Sequence, residues 1–128
     1  PLSVKQEDIH LQGHAMECRI NAEDPAHHFR PCPGVIEEIH LPGGNGVRID
    51  TAAYNGYEIP PFYDSMIAKV IVHGRTRQEA IDKMRSTLGE LIIDGVTTNV
   101  DFQYEILDNE DFQAGEITTD FIPMHFNL

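Results

Sequence analysis

Polar and apolar positions fall into strict alternation at residue 14. His14, Met16, Cys18 and Ile20 point one way, and Ala15, Glu17, Arg19 and Asn21 the other, which is the period of a strand. Asn21-Ala22-Glu23-Asp24-Pro25 closes it, because proline has no N–H to give a ladder. The polar residues before it predict one short helical turn started by Ser3, with Glu7 and Asp8 following. Residues 27–34, rich in proline and histidine, read as a loop. A second strand is predicted over 35–41, with Val35, Glu37, Ile39 and Leu41 opposed to Ile36, Glu38 and His40. The turn Pro42-Gly43-Gly44-Asn45-Gly46 would join it to a strand over 47–51, making a β-hairpin. Asn55-Gly56 is a further turn, and Ile59-Pro60-Pro61-Phe62 an extended segment. Residues 65–73 are the most apolar run. Met66, Ala68, Val70 and Val72 face one way and Ile67, Lys69 and Ile71 the other, predicting a central strand covered on two sides.

Downstream the period lengthens. Thr76-Arg77-Gln78-Glu79 has the capping-box pattern, and Ala80, Ile81, Met84, Leu88, Leu91 and Ile92 recur at three- and four-residue steps. They predict an amphipathic helix ending near Asp94-Gly95. Thr98 with Asp101 would cap a second helix with Val100, Tyr104 and Leu107 inward, and Gly115 would stop any continuation. One short helix is expected within 119–125, with Pro123 near its start. With no repeat and no linker, residues 1–128 read as one α+β domain, a small mixed unit with antiparallel strands first and packed helices after.

A chain of 128 residues, 41% hydrophobic and 23% charged, can bury a core without disulfide or metal staples. Nine basic against 21 acidic residues leave a net charge of −12, which repels phosphate backbones and anionic lipid. Neither nucleic acid nor a membrane is therefore expected as a partner. Residues 1–10 carry no signal-peptide pattern and no initiating methionine, and are expected to continue from a longer protein. Cys18 and Cys32 are too few for a disulfide framework, so both are expected reduced and the protein cytoplasmic.

Candidate chemistry is sparse. His27, His28 and Cys32 match no usual zinc spacing, so no metal is expected. Gly43-Gly44-Asn45-Gly46 lacks the lysine and hydroxyl residue of a P-loop. Ser65 has no nucleophile elbow around it. Among the arginines, Arg19 stands mid-strand with an apolar back side, so its stem is held and its fork aimed. A fixed guanidinium recognises a carboxylate, a phosphate or a developing oxyanion. A structural ion pair with Glu17 or Glu23 explains the same placement.

The run GHAMECRINAEDP, followed in order by PCPGVIEEIHLPGGNGVRID, PPFYDSMIAKVIVHGRTRQEAI and ELIIDGVTTNVDFQ, resembles the C-terminal domain of biotin carboxylase. The resemblance covers nearly the whole chain. It implies a ligase, part of an ATP-grasp enzyme that carboxylates biotin on its carrier protein with ATP, Mg2+ (or Mn2+) and bicarbonate. Acetyl-CoA carboxylase and fatty acid synthesis are the implied setting; the pyruvate and propionyl-CoA enzymes share the motifs. Arg19, in the ECRINAEDP motif, is implied to contact the ureido oxygen of biotin. Asp64 matches a position near that pocket, Glu17 and Glu23 are implied to orient Arg19 or pair across subunits, and Arg48 falls in the homodimer contact. The nucleotide, metal and bicarbonate sites belong to the preceding domains of that family, so this domain alone is expected to bind no cofactor and to be inactive. A non-catalytic interaction module is the other function class left open.

Overall fold

The computed structural model describes residues 1–127. After a 3₁₀ turn at Gln6–Asp8 come β1 (His14–Asn21), β2 (Glu23–Asp24), a 3₁₀ turn (Pro25–His27), β3 (Arg30–Pro31), β4 (Gly34–Val35), β5 (Glu38–His40), β6 (Val47–Thr51), β7 (Glu58–Ile59) and β8 (Met66–Gly74). They are followed by α1 (Arg77–Glu90), β9 (Ile92–Asp94), α2 (Val100–Asp108), α3 (Glu110–Ala114) and α4 (Phe121–His125). The first turn is led by Lys5, whose N–H donates to Asp8, and not by Ser3.

The alternation at 14–21 is realised as β1, which lies against β8, with β6 on the far side of β8, all antiparallel. Register places Met16, Val72 and Val47 in one inward row, Cys18, Val70 and Ile49 in the next, and Ile20, Ala68 and Thr51 in a third. Helix α1 packs on this face through Ala80, Ile81, Met84 and Leu88, all 2% exposed or less. Burying each larger side chain of this set stabilises the fold by about 1.5–3 kcal/mol. Thr76 caps α1 by accepting the Glu79 N–H at 3.2 Å. The second half of the capping box is missing, because the Glu79 carboxylate accepts from Arg75 instead.

The hairpin expected from 35–41 and 47–51 does not form. Ile36 is fully buried between β4 and β5; its N–H donates to the Tyr57 carbonyl, and its own carbonyl accepts from Gly56. This splits the run, so that β4 pairs with β7, β5 with β9, and β6 joins β8. Helix α1 also stops short of Asp94. The β-branched pair Ile92-Ile93 leaves it to match His40 and Ile39 on β5, which places a strand after the first helix and turns Ile92 outward.

Three smaller differences bear on the site. Strand β8 is central but covered on one face; on the other, Lys69 and Ile71 are half-buried. The N-cap of α2 is Asn99 rather than Thr98, whose Oγ1 reaches only the Val100 N–H at 3.4 Å. Tyr104 stays partly exposed with the Arg85 guanidinium 5.7 Å from its ring centre, and Leu107 is the α2 residue that enters the core. Gly115, with φ of 85°, ends α3, and α4 forms within the predicted 119–125.

Both cysteines are free. Burial, with a further push from the Glu17 charge, drives the Cys18 thiol up to about 12. Buried and held as the thiol, it is a poor nucleophile in the native protein. Iodoacetamide at pH 8 is expected to label the half-buried Cys32 and to spare Cys18 until the protein is unfolded, as read by peptide mass spectrometry. Equal labelling of both in the native protein would contradict this packing.

Candidate functional site

The outward face of the sheet is ionic. One row across it holds Glu17, Ile71 and Arg48, and the next holds Arg19, Lys69 and Asp50. Arg19 is placed there by the same alternation that buries Cys18 and Ile20 behind it. Its guanidinium lies 3.7 Å from the Asp64 carboxylate, and the two side chains are 56% and 67% exposed. At that distance the contact is an ion pair and not a hydrogen bond, so the N–H donors of Arg19 stay open to a second oxygen.

Asp64 is aimed by its backbone. Its Oδ1 accepts the Met66 N–H at 2.8 Å, and its Oδ2 is the oxygen toward Arg19. Strand β8 brings this about, because Met66 stands opposite Asn21 just beyond Arg19 on β1. Neither Glu17 nor Glu23, the ion-pair partners suggested by proximity in sequence, takes that place. Glu17 lies 3.8 Å from Lys69 across the sheet. Glu23 accepts from the Ser65 hydroxyl at 2.5 Å and from the Asn21 amide at 3.4 Å, so it braces the residue next to Asp64.

Arg48 forms a two-pronged pair with Asp50 at 2.8 and 2.7 Å. Chiefly through that hydrogen bonding, the Asp50 carboxyl is held below its usual range and the guanidinium is held more firmly protonated. The loop after β1 is closed locally. Asp24 caps the turn through the Ala26 N–H, pairs with His27 Nδ1 at 2.6 Å, and lies 3.9 Å from Arg30. The His27 hydrogen bond is the main reason the Asp24 carboxyl titrates low. His28 and Phe29 both adopt positive φ of 55°, so the pair of left-handed residues makes the bend without glycine. Among the described residues, no three His, Cys, Asp or Glu side chains come together as a metal site. Gly44 and Gly46 form a turn into β6, closed by Val47 N–H to Gly44 O at 3.2 Å.

Sequence reasoning missed the residues behind Arg19. Asn99 donates from Nδ2 to the Arg19 carbonyl at 3.1 Å and accepts the Asn21 N–H at 2.9 Å, while Gln103 donates to the same Arg19 carbonyl at 2.5 Å. The available signal was two amide residues four apart, on one face of a helix. Chemically, the site offers a half-exposed guanidinium on a stiff strand, steadied by one carboxylate and able to hold a negatively polarised oxygen. A neutral carbonyl-type oxygen that gains charge during a reaction fits that donor set.

Residues 17–124 match the family model described as the biotin carboxylase C-terminal domain. Biotin carboxylase 1 of Bacillus subtilis is 54% identical over 121 residues, covering 94% of this chain and 27% of that protein. A pyruvate carboxylase subunit from Methanothermobacter thermautotrophicus is also 54% identical, covering 94% of the chain and 25% of its own length. Among solved structures, the biotin carboxylase subunit of pyruvate carboxylase superposes with a TM-score of 0.96 at 46% identity, covering 98% of this chain and 28% of that one. The biotin carboxylase domain dimer of Hydrogenobacter thermophilus 2-oxoglutarate carboxylase, a complex with MgADP, ADP and bicarbonate, gives 0.95 at 45% identity, covering 97% and 27%. The chain spans about a quarter of the length of these relatives. With its sequence and its fold in agreement, the chain belongs to the biotin carboxylase C-terminal domain family.

Proposed function

We propose that this domain supplies one wall of the site in which a longer ATP-grasp ligase carboxylates biotin on its carrier protein. The observation that carries the reading is Arg19, mid-strand, half-exposed and paired only loosely with Asp64. Biotin brings a ureido group whose oxygen gains negative charge as N1 loses its proton. A permanently protonated guanidinium already in place stabilises that charge without reorganising. Asp64 keeps the fork oriented, and Glu23 with Ser65 steadies the turn that presents Asp64. Glu17, held to Lys69, contributes to the ionic face rather than to Arg19.

ATP, Mg2+ and bicarbonate would be handled by the rest of the protein; the 2-oxoglutarate carboxylase domain that binds MgADP and bicarbonate is several times longer than this chain. The same relative is a dimer, which supports a homodimer here, with Arg48 on the outward face as a contact residue. The Bacillus protein is a biotin carboxylase and the Methanothermobacter protein a pyruvate carboxylase subunit, each 54% identical to this chain, so biotin carboxylation is the coarser reading. An acetyl-CoA carboxylase setting is the finer proposal, decided by which acyl-CoA or keto acid accepts the carboxyl group.

The full-length protein is expected to hydrolyse ATP in a bicarbonate-dependent manner, faster when free biotin is added, with carboxybiotin as product. Residues 1–128 alone are expected to bind no ATP by calorimetry. A full-length protein with no bicarbonate-dependent turnover would mark the domain as a non-catalytic interaction module. Micromolar ATP binding to residues 1–128 would place the nucleotide site in this domain and overturn the division of labour proposed here.

A further inference from the structure

Strand β1 lies at the edge of its sheet, so the carbonyl of Arg19 and both backbone groups of Asn21 face away from β8. All three are taken up from one residue at the start of α2. The Asn99 side chain accepts the Asn21 N–H at 2.9 Å and donates to the Arg19 carbonyl at 3.1 Å, and the Asn99 N–H donates to the Asn21 carbonyl at 3.2 Å. Gln103, one turn further on, adds a second donor to the Arg19 carbonyl at 2.5 Å. The amide thus stands where a neighbouring strand would stand.

Two features give this arrangement a purpose beyond filling an edge. Asn99 occupies the N-cap of α2, where an asparagine ordinarily accepts an N–H from its own helix, yet its side chain makes no such bond. The capping contribution is given up for β1. The bracing also falls where the β1–β8 ladder is weakest, since the register slips between Ile20 and Asn21 and β8 skips Ile67. Without a clamp on its free side, the peptide after Arg19 would tilt at the slip. A tilt of about 10° at the Cα moves a guanidinium by roughly 1 Å, and a misplacement of that size costs up to about 100-fold in rate.

We propose that Asn99, assisted by Gln103, is the positioning residue that aims the Arg19 guanidinium at the substrate oxygen. The proposal rests on the functional reading of Arg19 given above. In the full-length protein, Asn99→Ala is expected to lower biotin-dependent kcat about 10-fold with KM for ATP within twofold. Gln103→Met, on a half-buried position of α2, removes one donor, keeps the volume, and is expected to lower kcat about threefold. Leu107→Ala, a core truncation on the same helix, serves as the reference for lost stability and is expected to keep kcat within about twofold below its melting range. Hydrogen exchange at the Asn21 amide is expected to quicken in Asn99→Ala and not in Leu107→Ala. If Asn99→Ala does not fold, Gln103→Met alone decides. Undiminished kcat in the amide variants, or a fall matched by Leu107→Ala, overturns the positioning role while loss in Arg19→Ala leaves the functional reading standing. Full activity in Arg19→Ala overturns that functional reading, and the positioning role with it.

Discussion

Replacing Arg19 by alanine in the full-length protein is expected to slow biotin carboxylation by about 10²–10³-fold, some 2.7–4 kcal/mol of transition-state stabilisation. KM for ATP should change less than about twofold, because the role proposed for the guanidinium acts on the substrate oxygen and not on the nucleotide. Arg19→Lys should recover little. An ammonium is a point charge on a flexible stem, and it cannot keep one edge on Asp64 while presenting another to a second oxygen. The loose 3.7 Å pairing is what makes the prediction sharp. A guanidinium locked by two short bonds, as Arg48 is on Asp50, would have fewer donors left to give. Steady-state rates with free biotin, measured beside ATP affinity for each variant, check the expectation. Carboxylation at the parent rate in Arg19→Ala would make Arg19 a structural ion-pair residue.

Gly95→Ala is expected to be the most damaging small substitution in the fold. Gly95 has φ of 98°, and an added Cβ would run into the Val35 carbonyl oxygen and lie 2.8 Å from the Glu37 nitrogen. These are backbone atoms and cannot swing aside. They also belong to the junction where Glu37 N–H donates to Asp94 O and β5 meets β9. Backbone strain and the forced shift together cost about 3–5 kcal/mol. That corresponds to a fall of roughly 10–20 °C in the melting of this domain. Gly43→Ala is the control, since a methyl added at Gly43 meets no atom within 4 Å. It should shift melting by only a degree or two, about 0.5 kcal/mol or less. Calorimetry of the full-length variants decides; equal melting of the two would show that the junction yields freely.

Elements set by local period were legible from the residues alone. Strands β1 and β8 and helix α1 announced themselves by alternation or by three- and four-residue steps, and α4 fell where its flanking residues placed it. Pairing was not legible where the partner lay far along the chain. Nothing near Glu38 indicates that it will stand opposite Asp94, and the glycine-rich turn before Val47 invited a hairpin that buried Ile36 prevents. The site divides in the same way. Arg19 stood out because its strand has an apolar back, whereas the cap pattern drew attention to Thr98 and away from Asn99, whose amide serves a strand far upstream. Asp64 became the partner of Arg19 only through the register that sets Met66 opposite Asn21.

The ionic face has a further consequence for how molecules arrive. Arg19, Lys69 and Arg48 stand there with Glu17, Asp50 and Asp64, three positive and three negative groups whose formal charges cancel. The chain as a whole carries −12, so its excess of negative charge lies elsewhere on the surface. An anionic reactant or a second acidic domain is repelled at long range and meets a balanced field over this sheet. Salt screens the long-range part first, with a Debye length of about 8 Å at physiological ionic strength. For this domain's share of the encounter, added salt therefore speeds the approach of anions to the face, the reverse of what a basic patch would do.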